Sequence, residues 1–137
     1  MFTPGKMFKI AAWCMIAFGF IHEASFVYTY FTTSNTEAFL VSMTAFHIDG
    51  TGTNLYSFYG GYGILMGILL IGLGILDIKL ATAAGPSILT NGGVMFTNII
   101  IALLALAVSI VYFVFVIPIA LTGLASLFFI MAYAKAK

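Results

Sequence analysis

His22 and Glu23 stand side by side in an otherwise apolar stretch, AAWCMIAFGFIHEASFVYTYF. Ionisable groups inside a membrane span are costly to bury and read as functional by default. An imidazole and a carboxyl offer three kinds of chemistry. They can take up and release protons. They can hydrogen-bond a small molecule such as a quinone or a lipid head group. With further His or carboxylate ligands they can hold zinc or non-haem iron. Glu23 lies roughly 12 Å of helical rise inside the end of its segment at Phe31. Tyr62, Ser109 and Thr122 fall at a similar depth in their own segments, and Tyr59 lies one turn from Tyr62. His47 and Asp49, in the loop that follows, can cap this layer from above. The candidate ligand-binding set is therefore His22, Glu23, Tyr59, Tyr62, His47 and Asp49.

A structural reading competes with the functional one. In it Glu23 and His22 are uncharged, each satisfied by Tyr, Ser or backbone partners. The metal option is the weakest. Adjacent helical residues do not face one another, so His22 and Glu23 do not readily ligate one ion, and no metal is assigned. Nothing completes a catalytic set either. There is no G-x-S-x-G, Walker loop, Cys pair or H-E-x-x-H, and the lone Cys14 makes no internal disulfide. No catalytic residue and no cofactor are assigned, and the balance favours a protein that is not an enzyme.

Positioning these residues falls to helices in lipid. Of 137 residues 63% are hydrophobic and 7% charged, against roughly 25% charged in soluble domains. That composition excludes a soluble globular protein, a disordered chain and a disulfide scaffold. The net charge of +1 gives no footing for nucleic acid. A transmembrane helix needs about 20 apolar residues. Stretches at about 7–31, 55–78, 92–115 and 118–134 qualify. The expected fold is all-α: a four-helix transmembrane bundle forming a single integral membrane domain over residues 1–137. The first stretch is too long, and too polar at His22 and Glu23, for a cleaved signal peptide.

Lysine placement orients the spans. Lys6 and Lys9 precede the first, Lys79 follows the second, and Lys135 and Lys137 follow the fourth. The loop at 32–54 and the turn before Pro118 contain no Lys or Arg. Four spans put all five lysines on one side, with both termini cytoplasmic. Ser34 and Glu37 have capping-box spacing, and Phe39, Leu40, Met43 and Phe46 follow on one helical face. This predicts a short amphipathic helix over about 36–48 in the outer loop, lying on the membrane surface or folded over the bundle mouth. Gly50 and Gly52 end it. Asn91 is an expected N-cap for the third helix.

The second span is glycine-rich. Gly60, Gly67 and Gly74 recur at a heptad interval, and Gly63 with Gly67 forms G-x-x-x-G. Small residues in one stripe let helix backbones approach closely in lipid, so this helix is expected to be central. Asp77 and Lys79, at its inner end, read as facing water. Asn98 reads as an interhelical hydrogen bond.

Three places carry a resemblance: G-x-x-H at Gly19 and His22, the aromatic–glycine stretch SFYGGYGILMG from Ser57 to Gly67, and the hairpin YFVFVIP from Tyr112 to Pro118. In these the chain resembles an uncharacterised family of small bacterial four-helix integral membrane proteins. Its architecture alone is similar to that of DoxX-type proteins. The resemblance implies a four-span bundle in a bacterial inner membrane, and implies no activity. Two functions stand as expectations. One is an accessory or structural subunit of a larger membrane complex, or a homo-oligomer, with membrane lipids and other integral membrane proteins or itself as partners. The other is a small-molecule (quinone, lipid) or proton-handling protein working at the His22/Glu23 layer. A solitary transporter is disfavoured, since neither paired repeats nor broken helices are apparent.

Overall fold

A computed structural model describes residues 2–32, 38–113 and 116–136. These are helical apart from short connections, with no strand among the described residues. In chain order the helices are α1 (Pro4–Thr32), α2 (Ala38–Ala45), α3 (Leu55–Ala83), α4 (Ser87–Thr90), α5 (Gly92–Val108) and α6 (Val116–Ala136). A five-residue π-helical turn, Ser109–Phe113, follows α5. Four helices are long and apolar enough to cross a membrane. The apolar stretches run Pro4–Ser25, Leu55–Ala83, Gly92–Val111 and Val116–Ala136.

Local chemistry sets where the helices begin. At α1, Thr3 precedes Pro4, and its Oγ1 accepts the Lys6 N–H at 3.3 Å. Proline suits the first helical position because no partner exists there for an N–H. At α3, Asn54 Oδ1 accepts the Ser57 N–H at 2.8 Å. At α5, Asn91 Oδ1 accepts the Val94 N–H at 3.3 Å, as its expected N-cap role requires. Pro118 falls in the first turn of α6. The ends differ from the expected spans. α3 runs on through Lys79 to Ala83, beyond the expected 78, because nothing in KLATA breaks a helix. The break comes at Gly85, with φ +56°, and Pro86.

The chain divides into two compact units, Met1–Phe18 with Leu70–Lys137, and Gly19–Leu69. The first holds the start of α1, the end of α3, and α4 to α6. Its core is Met7, Phe8, Ala11, Ala12, Met15, Ile16 and Phe18 of α1, Leu70 of α3, Ile88 and Leu89 of α4, Met95 and Ala102 of α5, and Ala125, Phe129 and Ala132 of α6. The Phe8 and Phe129 rings meet edge-on at 5.2 Å between centroids. Ala102, Ala125 and Ala132 are fully buried, so α5 and α6 pack through small residues. Such close packing replaces the hydrophobic drive that lipid does not supply between helices.

The second unit holds the rest of α1, α2, the loop to α3 and the start of α3. The loop closes on itself. The Leu55 N–H donates to the Phe46 carbonyl at 2.9 Å and the Ile48 N–H to the Thr53 carbonyl at 3.0 Å. The reversal between them passes through Gly50 and Gly52 at φ +77° and +66°, conformations glycine adopts without Cβ strain. The loop helix is shorter than expected. α2 ends at Ala45, so Phe46 lies outside it and is exposed, and His47 forms a lone antiparallel bridge with Asn54. The Ser34–Glu37 capping box lies outside the described residues.

Candidate functional site

On α3 the buried positions are Gly60, Gly67, Leu70, Gly74 and Asp77, with Gly63 half-buried. Steps of three, four and seven residues keep them on one face. The sequence expectation of a packing stripe through Gly60, Gly67 and Gly74 thus corresponds to burial, and each unit uses its own part of the stripe.

In the second unit, α1 docks on α3 through its two ionisable neighbours. His22 Nε2 donates to the Gly63 carbonyl at 3.2 Å, which places the ring proton on Nε2 for this bond. A helical carbonyl keeps a second lone pair for such a donor. The Glu23 side chain occupies the notch at Gly67. A Cβ on Gly67 would fall on the Glu23 carboxyl, with Cδ at 2.6 Å and Cγ at 2.7 Å. The two glycines of G-x-x-x-G, one turn apart on α3, therefore receive adjacent residues of α1. Divergence of adjacent side chains, which argued against a shared metal, here lets the pair grip two successive turns. Glu23 Oε1 is buried with no hydrogen-bond partner among the described residues.

The remaining predicted ligands do not join this pair. Tyr59 is 62% and Tyr62 58% exposed. Tyr62 packs its ring on Phe58 at 4.8 Å. Each tyrosine precedes a stripe residue, Gly60 or Gly63, and so is turned about 100° off the packed face. His47 and Asp49 are exposed in the closed loop. Among the described residues no three His, Cys, Asp or Glu side chains converge.

The first unit contains a buried polar pair that corrects the reading of Asp77 as water-facing. Asp77 is 2% exposed and Asn98 4%. Asn98 Nδ2 donates to Asp77 Oδ1 at 2.9 Å, the interhelical bond expected of Asn98. Asp77 Oδ2 is buried without a partner among the described residues. The signal for Asp77 was in the sequence. It stands three residues beyond Gly74 and so continues the buried heptad stripe. The pair lines a cleft of about 400 Å³ between α3 and α5, together with Leu73, Leu76 and Thr97. Ser109 is fully buried and its hydroxyl has no partner among the described residues. Thr122 and Ser126 are spent within α6, where their hydroxyls donate to the Pro118 and Thr122 carbonyls at 2.7 and 2.8 Å.

Chemically, the described residues offer two carboxyl groups seated at helix contacts, each with one oxygen able to carry a proton or accept a hydrogen bond. No protein-family model, curated protein or solved structure matches the chain.

Proposed function

We propose that the chain is a small accessory or structural subunit of a larger membrane complex, or a homo-oligomer, in a bacterial inner membrane. One observation carries this reading: polar side chains at membrane depth serve helix packing. His22 is bonded to the Gly63 carbonyl, Glu23 fills the Gly67 notch, and Asn98 is bonded to Asp77. The outward surfaces are left apolar, with Ile64, Leu65, Ile68 and Leu69 exposed on α3 and Ile100, Leu103 and Leu104 on α5. Such surfaces suit lipid tails and other transmembrane helices alike. The resemblance of the three short motifs to small bacterial four-helix proteins supports the same reading, and the lysine distribution supports cytoplasmic termini. The test is purification of tagged protein from its native membrane in mild detergent, with proteomics and the mass of the intact particle. Partner proteins in fixed ratio, or a defined homo-oligomer, are the expected result. A monomer free of partners would overturn the reading.

A second reading rests on Glu23 Oε1. A buried carboxyl oxygen without a donor is expensive, and a bound hydroxyl, amide or proton would relieve that cost. Under this reading the site handles protons or a small molecule (a quinone or a lipid). Glu23→Gln would then leave assembly intact while abolishing ligand retention or proton-linked activity.

A further inference from the structure

The charges of this chain are sorted between its two units. The unit Met1–Phe18 with Leu70–Lys137 carries all five lysines and one acid, Asp77, a formal +4. The unit Gly19–Leu69 carries Glu23, Glu37 and Asp49 and no lysine, a formal −3. Within the basic unit the sole acidic side chain is buried on Asn98. Its five lysines thus share the unit with one carboxylate side chain, which is buried.

Two of them line a cavity. Lys6 and Lys9, on the first turns of α1, border a partly open space of about 490 Å³ lined also by the end of α3, by α4 and by the end of α6. Lys9 is half-buried and Lys6 exposed. Ile88 and Leu89 of α4 form an apolar wall, and both are buried. Thr3 adds a hydroxyl, while the Thr90 hydroxyl already donates to the Ser87 carbonyl at 3.0 Å. The Thr3 oxygen accepts the Lys6 N–H at 3.3 Å, leaving its proton to donate. The volume lies within the range of small-molecule sites, roughly 300–1,000 Å³. A concave site with two lysines, one hydroxyl free to donate and an apolar wall matches an anion carried on an apolar body.

We infer that this cavity binds the phosphate head group of an anionic phospholipid, from the leaflet that the lysines face. Lys6 and Lys9 hold the phosphodiester oxygens, Thr3 donates to it, and the glycerol and first acyl carbons lie along Ile88 and Leu89. A basic pocket between transmembrane helices is the usual physical form of such a site. The inference is independent of whether the chain is an accessory subunit.

The test uses the full chain in neutral detergent, read by native mass spectrometry with added dioleoyl-phosphatidylglycerol, dioleoyl-phosphatidylcholine or inorganic phosphate. The expected result is about one anionic lipid retained per chain, on the order of tenfold more strongly than the zwitterionic lipid. The double variant Lys6→Gln/Lys9→Gln loses that preference. Lys79→Gln, on an exposed lysine outside the cavity, keeps it. Thr90→Trp fills the cavity with both charges left in place and also loses the preference, so the site is tested even where the double variant fails to fold. Equal retention of the two lipids overturns the inference. So does equal loss in Lys79→Gln, which would mark a diffuse surface field, or displacement of the lipid by millimolar inorganic phosphate, which would mark a free-anion site.

Discussion

Asp77 and Asn98 show how one polar contact is valued in lipid. Each is almost fully buried, and the bond between them is 2.9 Å. Interhelical hydrogen bonds in membranes contribute modestly, about 0.6 kcal/mol on average and up to about 1.7, because the unfolded helices also find partners. A double-mutant cycle on Asp77→Ala and Asn98→Ala, read by denaturant unfolding in micelles, should give a coupling in that range. Zero coupling would mean that the bond adds no stability over the partners the unfolded helices find. Glu23 calls for a different pair of substitutions. Glu23→Gln keeps the shape that fills the Gly67 notch, and stability should stay within about 0.5 kcal/mol of the parent. Glu23→Ala empties the notch and should cost more. If the two variants are equally unstable, charge rather than shape holds Glu23 in place.

At the scale of elements, two glycines of α3 make opposite demands. A Cβ at Gly67 meets the Glu23 carboxyl, the far end of a flexible side chain. A Cβ at Gly74 meets the Ala12 carbonyl oxygen at 2.7 Å and Ile16 Cγ1 at 2.5 Å. Backbone cannot rotate aside. Overpacking costs roughly 1–3 kcal/mol, and Gly74→Ala should fall at the high end with Gly67→Ala below it. Combining Gly67→Ala with Glu23→Ala should recover part of the loss, since the clashing atoms are gone. Ile16→Ala should not rescue Gly74→Ala, because the carbonyl stays. Thermal unfolding of the four variants in one detergent checks the order. Much of this contact was legible beforehand. The heptad of Gly60, Gly67 and Gly74 marks a packed face, and steric size follows from residue type alone. What fits against each glycine was not legible, because it depends on the register of α1 along α3.

For the whole molecule, the sorting of charge makes an orientation prediction. With five lysines in one unit and none in the other, the lysine-bearing ends are predicted to face the cytoplasm. The single cysteine makes this easy to test. In a Cys14→Ser background, Thr51→Cys should react with a membrane-impermeant maleimide in intact cells. Ala136→Cys should react only after permeabilisation. The reverse pattern would invert the topology, and labelling of both from one side would break the even number of spans.

Composition and long apolar runs determine by themselves that this chain is all-helical with four helices able to cross a membrane, because lipid leaves a backbone few ways to satisfy its own polar groups. Capping at Asn91, the packed face of α3 and the interhelical bond of Asn98 also follow from residue type and spacing. Tertiary structure decided the rest. Tyr62 shares the apparent depth of Glu23 and Tyr59 lies one turn away, yet one residue of helical phase turns both outward. Asp77 has a phase with Gly74 that the sequence displays, but its seat against Asn98 depends on how α5 packs on α3. Depth along a helix is one-dimensional and can be counted in the sequence. Which neighbour a side chain meets depends on helix rotation and register, and those are set by packing against residues distant in the chain.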